Sequence, residues 1–115
     1  MCIRDRGTLD AAAGEFRQAI AARPDYPLAR FHLARLLVNQ RKYEEAIQQL
    51  LRALQPEDEQ TPLYLFALGA AYARAGDRDH ALEYYQKAHD AASAYGQAQL
   101  LRSIDRDRNM LENER

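Results

Sequence analysis

Tryptophan is absent, cysteine occurs once, and isoleucine and valine together occur only five times in the 115 residues. A single cysteine excludes an internal disulfide framework and leaves the redox compartment open. The shortage of β-branched residues removes what a sheet needs, so neither an all-β nor a parallel α/β arrangement is expected. No charge of one sign dominates: 16 Lys+Arg stand against 17 Asp+Glu, for a formal net charge of −1. Gripping a phosphate backbone requires a net basic face, so nucleic acid is not an expected partner. Long apolar runs are also missing. The longest uncharged stretch, Gln60 to Ala73, is shorter than the roughly 18 apolar residues of a membrane span, so no membrane insertion is expected. Met1 to Asp10 shows no apolar h-region of a secretory signal, and the compartment stays open. What the chain has instead is alanine, leucine, arginine, glutamate and glutamine, a helical mixture. At this length one domain is expected, burying roughly two-thirds of its unfolded surface.

The sequence repeats itself. Tyr43-Glu44-Glu45-Ala46-Ile47 aligns with Arg78-Asp79-His80-Ala81-Leu82, and Leu33-Ala34 with Leu68-Gly69, both 35 residues apart. Leu9-Asp10-Ala11-Ala12-Ala13 lies 34 residues before the first of these segments. Downstream, Phe16, Leu50 and Tyr85 share one slot, and Ala19, Ala53 and Ala88 the next. Each unit reads as a pair of helices. Leu9, Ala12, Ala13, Phe16, Ala19 and Ile20 follow the spacing of one helical face, and Pro24 stops that helix. A second helix is expected from Pro27 to about Gln40, and a third from Lys42 to Leu54, with Glu44 and Glu45 complementing its dipole. Thr61-Pro62 predicts a helix start with threonine as N-cap and proline at the first position. That helix runs to Ala75 and ends at Gly76; Asp77 caps the next, from Arg78 to about Tyr95, which Gly96 closes. Leu100, Leu101, Ile104 and Leu111 predict a last amphipathic helix with Arg102, Asp105, Arg106, Arg108 and Glu112 on its outer face.

Leu68-Gly69 with Tyr72 and Gly76, followed by Ala81, Tyr85 and Ala88, resembles the tetratricopeptide repeat signature. Leu33-Ala34 with Leu37, then Ala46, Leu50, Ala53 and Pro56, resembles a second copy, while Ala12, Phe16, Ala19 and Pro24 match the second half of a unit. The small residues Ala34, Ala46, Gly69 and Ala81 are expected to let paired helices approach closely. Two departures stand out. Arg30 occupies a slot where the family usually has a large apolar residue, with Phe31 expected to take over its packing, and Pro56 comes early and should shorten its helix. The resemblance implies an all-α fold, a right-handed α–α superhelix of about six helices with a C-terminal capping helix. The expected divisions are 1–6 as a non-native or frayed segment, 7–26 as a half repeat, 27–60 and 61–95 as full repeats, and 96–115 as the cap. Met1-Cys2-Ile3-Arg4-Asp5-Arg6 resembles translated adapter sequence at the start of metagenome-derived reading frames. The chain is therefore expected to be the C-terminal piece of a longer protein.

Chemistry is sparse. Cys2 lies in that hexapeptide, and Ser93 and Ser103, the only serines, sit in no nucleophile elbow. His32, His80 and His89 lack the spacing of a zinc site, although His80 and Glu83 could meet on one helix face. No phosphate-binding Gly-Lys-Ser/Thr follows Gly69 or Gly76. Tyr43, Tyr64, Tyr72, Tyr84 and Tyr85 occupy helical slots and read as core rather than as base-stacking platforms. No catalytic, metal or cofactor site is expected, and the chain is not expected to be an enzyme. The family resemblance implies instead a concave groove, lined by the first helix of each unit, that takes a peptide or a partner helix. Its lining here would be Phe31, Arg35, Val38 and Asn39 from one unit and Phe66, Ala70, Ala73 and Arg74 from the next. The lysine-and-asparagine carboxylate clamp of some relatives is absent from these positions. The expected role is a protein-interaction or scaffolding module. Its alternatives are the docking part of a larger multidomain enzyme or haem protein, or a self-association module.

Overall fold

The computed structural model describes residues 6–24 and 26–113, and every element among them is an α-helix. They are α1 Arg6–Ala22, α2 Pro27–Asn39, α3 Tyr43–Ala53, α4 Thr61–Arg74, α5 Arg78–Ala94 and α6 Ala98–Asn113. The expectation for segment 1–6 lies outside the described residues except at Arg6, where α1 opens. The chain forms two compact units that divide between Gln55 and Pro56. Pro56 does follow a short helix, since α3 stops at Ala53.

In the first unit, α2 and α3 pack together as a hairpin and α1 lies against α2. The repeat slots carry the packing: Leu33, Ala34 and Leu37 of α2 are buried, as are Ala46, Leu50 and Ala53 of α3. On α1, Leu9 and Ala13 are buried and Phe16 stacks on His32 with ring centroids 5.4 Å apart. Arg17 reaches α3, its guanidinium 2.6 Å from the Glu45 carboxylate. Arg30 explains its own departure from the family pattern. Its guanidinium donates to Gln49 Oε1 of α3 at 2.9 Å and to the Pro24 carbonyl at 3.0 Å, bridging across the hairpin where an apolar side chain would merely pack.

The second unit repeats the hairpin with larger side chains. Tyr64, Leu65, Leu68 and Ala71 of α4 are buried, together with Ala81, Tyr85 and Ala88 of α5. α6 packs on α5 and touches α4, with Ile104 fully buried. The helices approach closely at Gly69. A Cβ there would lie 2.5 and 2.6 Å from Cδ1 and Cε1 of the Tyr85 ring, inside van der Waals contact. The equivalent slots of the first unit hold Ala34 and Leu50. The chain thus pairs its larger ring with its smaller helix residue, which keeps the interior at close-packed density.

Three hairpin turns share one backbone device. At Arg41, Gly76 and Gly96 the chain enters the left-handed region, with φ of 63°, 88° and 67°. In each, the N–H of the next residue reaches far back into the helix just ended: Lys42 to the Leu37 carbonyl (2.8 Å), Asp77 to Tyr72 (2.9 Å) and Gln97 to Ala92 (2.9 Å). The left-handed residue itself bonds one turn back, so two orphan carbonyls are satisfied at each helix end. Glycine takes this conformation without strain, whereas arginine does so against a steric cost.

Two local expectations are corrected. Thr61 is not the N-cap but the first residue of α4, after the half-in Gln60. Its hydroxyl accepts the Asp58 N–H at 2.9 Å, and the Asp58 carboxylate accepts the Gln60 N–H at 2.8 Å, so the tight turn before the helix consumes the hydroxyl. On α6, Asp105 and Arg108 do not belong to the outer face. Arg108 donates to Gln86 of α5 at 2.7 Å, and Asp105 stands 3.7 Å from His89 Nε2 of α5, because both flank the seam where α6 packs on α5.

Two outcomes test this packing. Gly69→Ala should cost about 1–3 kcal/mol through overpacking, and combining it with Tyr85→Leu should recover part of that loss as a favourable coupling of about 0.5–3 kcal/mol in chemical denaturation. Arg41→Gly should stabilise the first hairpin by about 0.5–1 kcal/mol by relieving the left-handed strain, read as a higher thermal midpoint.

Candidate functional site

The two opening helices, α2 and α4, turn one stripe into their hairpin and leave another outside. On α2, Phe31 is buried along with Leu33, Ala34 and Leu37, and Arg35, Val38 and Asn39 follow it at i+4, i+7 and i+8 on one side of the helix. Phe31 is only 8% exposed, Val38 is half-buried, and Arg35 and Asn39 are exposed. The Arg35 guanidinium lies 5.8 Å above the Phe31 ring, a cation–π contact that holds the charge upright at the surface.

On α4, the same spacing brings Phe66, Ala70, Ala73 and Arg74 to one face. Phe66 is half-buried, its ring tilted against Tyr85 at 5.8 Å, and Ala70 and Ala73 are half-buried. Arg74 is exposed in the last turn, where a cation complements the helix dipole. The α4 face therefore combines a half-buried aromatic, two alanines and an arginine, whereas on α2 the aromatic is buried and the surface is Arg35, Val38 and Asn39. Neither arginine makes an ion pair among the described residues.

A third feature escapes the reading of the sequence. Tyr72 of α4 stacks on both His80 (5.0 Å) and Tyr84 (5.5 Å) of α5, and Lys87 sits 4.9 Å over the Tyr84 ring. His80, Tyr84 and Lys87 follow one another at i+4 and i+3, so a single α5 face builds the column and Tyr72 enters it from the neighbouring helix. Asp77 anchors one end. It accepts the His80 N–H at 3.2 Å as N-cap, and its other carboxylate oxygen is 2.7 Å from His80 Nδ1. His80 thus pairs with Asp77 rather than with Glu83, which instead meets Lys87 at 3.3 Å. The helical spacing of the α5 residues was legible; that a tyrosine from α4 joins them was not.

Titration follows the same geometry. The His80 N–H holds the Asp77 carboxyl below the usual carboxylate range, helped by the His80 side chain. Burial, with the charge of Asp107 of α6, pushes the Tyr85 phenol up to about 12. Among the described residues no three His, Cys, Asp or Glu side chains gather to hold a metal, and no helix is long and apolar enough to cross a membrane.

Paired helices with a leucine and a small residue at the crossing, an aromatic or leucine facing it and a left-handed turn between them define a helical-repeat class of protein. Comparison with known families names the class. Two models, each described as tetratricopeptide repeat, match residues 4–71 and 65–109. The chain belongs to the tetratricopeptide repeat family, and as such is a protein-interaction module. It is also 36% identical over 73 residues to anaphase-promoting complex subunit 3 of Dictyostelium discoideum. That match spans 64% of this chain and 7% of the relative.

The Asp77 cap predicts a sign for pH dependence. Its carboxyl is depressed in the folded state, so its contribution is present above the ordinary carboxylate value and lost as pH falls through the lowered one. Asp77→Asn keeps a good capping side chain but removes the charge. Its thermal midpoint should lie below that of the wild type at neutral pH, and the gap should close under strongly acidic conditions.

Proposed function

We propose that the chain acts as a scaffolding module in which the outward face of each opening helix, α2 in the first unit and α4 in the second, is a contact surface for an extended segment of a partner protein. The observation that carries this reading is an arginine on each of those faces with no carboxylate partner among the described residues, Arg35 braced on the Phe31 ring and Arg74 beside Ala70, Ala73 and Phe66. Guanidinium groups bind carboxylates in a bidentate, planar way that lysine cannot match. Aromatic and small side chains alongside give an apolar anchor its place. The favoured segment therefore combines an acidic residue with an apolar one. On α2, Phe31 supports Arg35 from below and Val38 and Asn39 supply contact surface; on α4, Phe66, Ala70 and Ala73 do so beside Arg74. By its name, the relative with 36% identity is a subunit of a multiprotein complex, which supports a role in assembly for this chain.

Exposed ion pairs of this kind contribute about 0.2–1 kcal/mol each, so the arginines should act mostly on association rate and salt dependence. The test compares wild type with the double variant Arg35→Glu and Arg74→Glu as bait in lysate of the source cells, with circular dichroism showing equal helicity. Loss of the proteins captured by wild type at low salt is the expected outcome. An identical captured set would overturn the assignment of these faces.

A further inference from the structure

A cleft of about 440 Å³ opens within the second unit, between the start of α4 and the start of α6. Leu63 of α4 and Leu100 of α6, both half-buried, give it apolar surface from each helix. Glu59, Gln60 and Gln99 stand exposed around it, and no basic residue lines it. The Gln97 side chain donates to the Glu59 carbonyl at 2.8 Å, which ties the loop before α4 to the start of α6 and holds the two sides together. The Glu59 carboxylate makes no ion pair among the described residues. The cleft continues the α4 face described above. Leu63 precedes Phe66 by three residues and Ala70 by seven, so all three share one side of the helix with Arg74 at its far end. That face therefore runs from a carboxylate at Glu59 to a guanidinium at Arg74 with apolar side chains between. From Leu63 to Arg74 the helix rises roughly 16 Å, the span of about five residues of extended chain.

We infer that this cleft takes an apolar side chain of the partner segment flanked by lysine or arginine, and so fixes the charge order of that segment along α4. The basic and apolar residues lie at the Glu59 end, and the acidic residue lies about five residues away at the Arg74 end. The inference rests on the proposed function and deepens it, since Arg74 alone binds a carboxylate whatever flanks it. The lining selects this occupant. Its volume falls within the roughly 300–1,000 Å³ of ligand clefts, and its exposed rim leaves it open to a side chain carried on a backbone. A glutamine amide offers both a donor and an acceptor, as a peptide group does, so Gln60 and Gln99 suit the backbone on either side of the anchor. A carboxylate at the rim with no basic residue in the lining favours a positive neighbour and disfavours an acidic one.

The probe is a library of short random peptides displayed on phage and panned against the full chain at low salt, with the enriched peptides then synthesised and titrated. Enriched sequences are expected to pair an apolar residue with lysine or arginine and to carry aspartate or glutamate about five residues away. Their binding should move amide chemical shifts at the starts of α4 and α6. Glu59→Arg should weaken them about two- to fivefold, an effect lost at high salt. Leu63→Asp should weaken them at least about tenfold by removing the apolar anchor. Leu63 lies in the first turn of α4, where an acidic residue suits the helix dipole, so circular dichroism should stay that of the wild type. Should it change, Ala98→Arg is the second variant, at an exposed position on the α6 side, and it should weaken binding by filling the cleft with a basic side chain. Peptides that lose affinity with Arg74→Glu but not with Glu59→Arg, Leu63→Asp or Ala98→Arg would overturn the inference and leave the proposed function intact. Peptides that respond to the cleft variants but not to Arg74→Glu would overturn the charge order together with the assignment of the α4 face. Enriched sequences with an acidic residue beside the apolar one and no basic residue would also overturn the inference.

Discussion

The close approach of paired helices is the constraint on which the other features of each unit depend. A helix pair can bury both apolar stripes only if something at the crossing is small. In the second unit that something is Gly69, and the room it leaves is filled by the face of the Tyr85 ring. In the first unit alanine and leucine occupy the same slots, and both are buried. A glycine inside a helix costs up to about 1 kcal/mol relative to alanine, so its place here is intelligible only through the ring it accommodates. Size is balanced between two residues 16 apart in sequence rather than fixed at either one.

From that crossing the surface follows. Helices held this close turn their small and leucine positions inward, and the residues on the remaining faces are left toward solvent. Arg35 and Arg74 arrive at the surface for this reason, and the exposed edge of α1 does as well. The turns reinforce the geometry. Each left-handed residue and its successor close the helix by returning two hydrogen bonds, so the next helix begins within a few residues and packs back. The chain accepts an arginine in one of these positions, which shows that the turn's hydrogen bonds and the packing of the hairpin outweigh the local strain.

Polar side chains then fasten what apolar packing has placed. Arg30 bridges two helices and a loop, Asp77 caps α5 and grips His80, and Arg108 ties α6 to Gln86. Each of these contacts is exposed or half-buried, where hydrogen bonds contribute modestly to stability but select one arrangement among several with similar apolar burial.

The sequence by itself determined the helices and their repeat. Alanine-rich composition, a period of 34 to 35 residues and the punctuation by Pro24, Gly76 and Gly96 sufficed, because helix spacing and turn chemistry are local. It also identified Ala46 and Ala81 as crossing residues, and both are fully buried. What lay beyond it were the choices made between helices. Thr61 could cap its helix or serve the preceding turn, and the Asp58 N–H decided. Arg41 carried no sign of a left-handed turn except its place 35 residues before Gly76. His80 had a carboxylate within reach on either side, Asp77 and Glu83, and helical spacing could not rank them. Asp77 won because it already caps the helix at that residue, while Lys87 took Glu83. Only the packing of α4 on α5 brought Tyr72 between His80 and Tyr84. The physical reason is common to the contacts between helices. A helix face fixes which residues share a side, but a contact across two helices depends on the rotation and depth at which they pack, and those are set by every side chain at the crossing together.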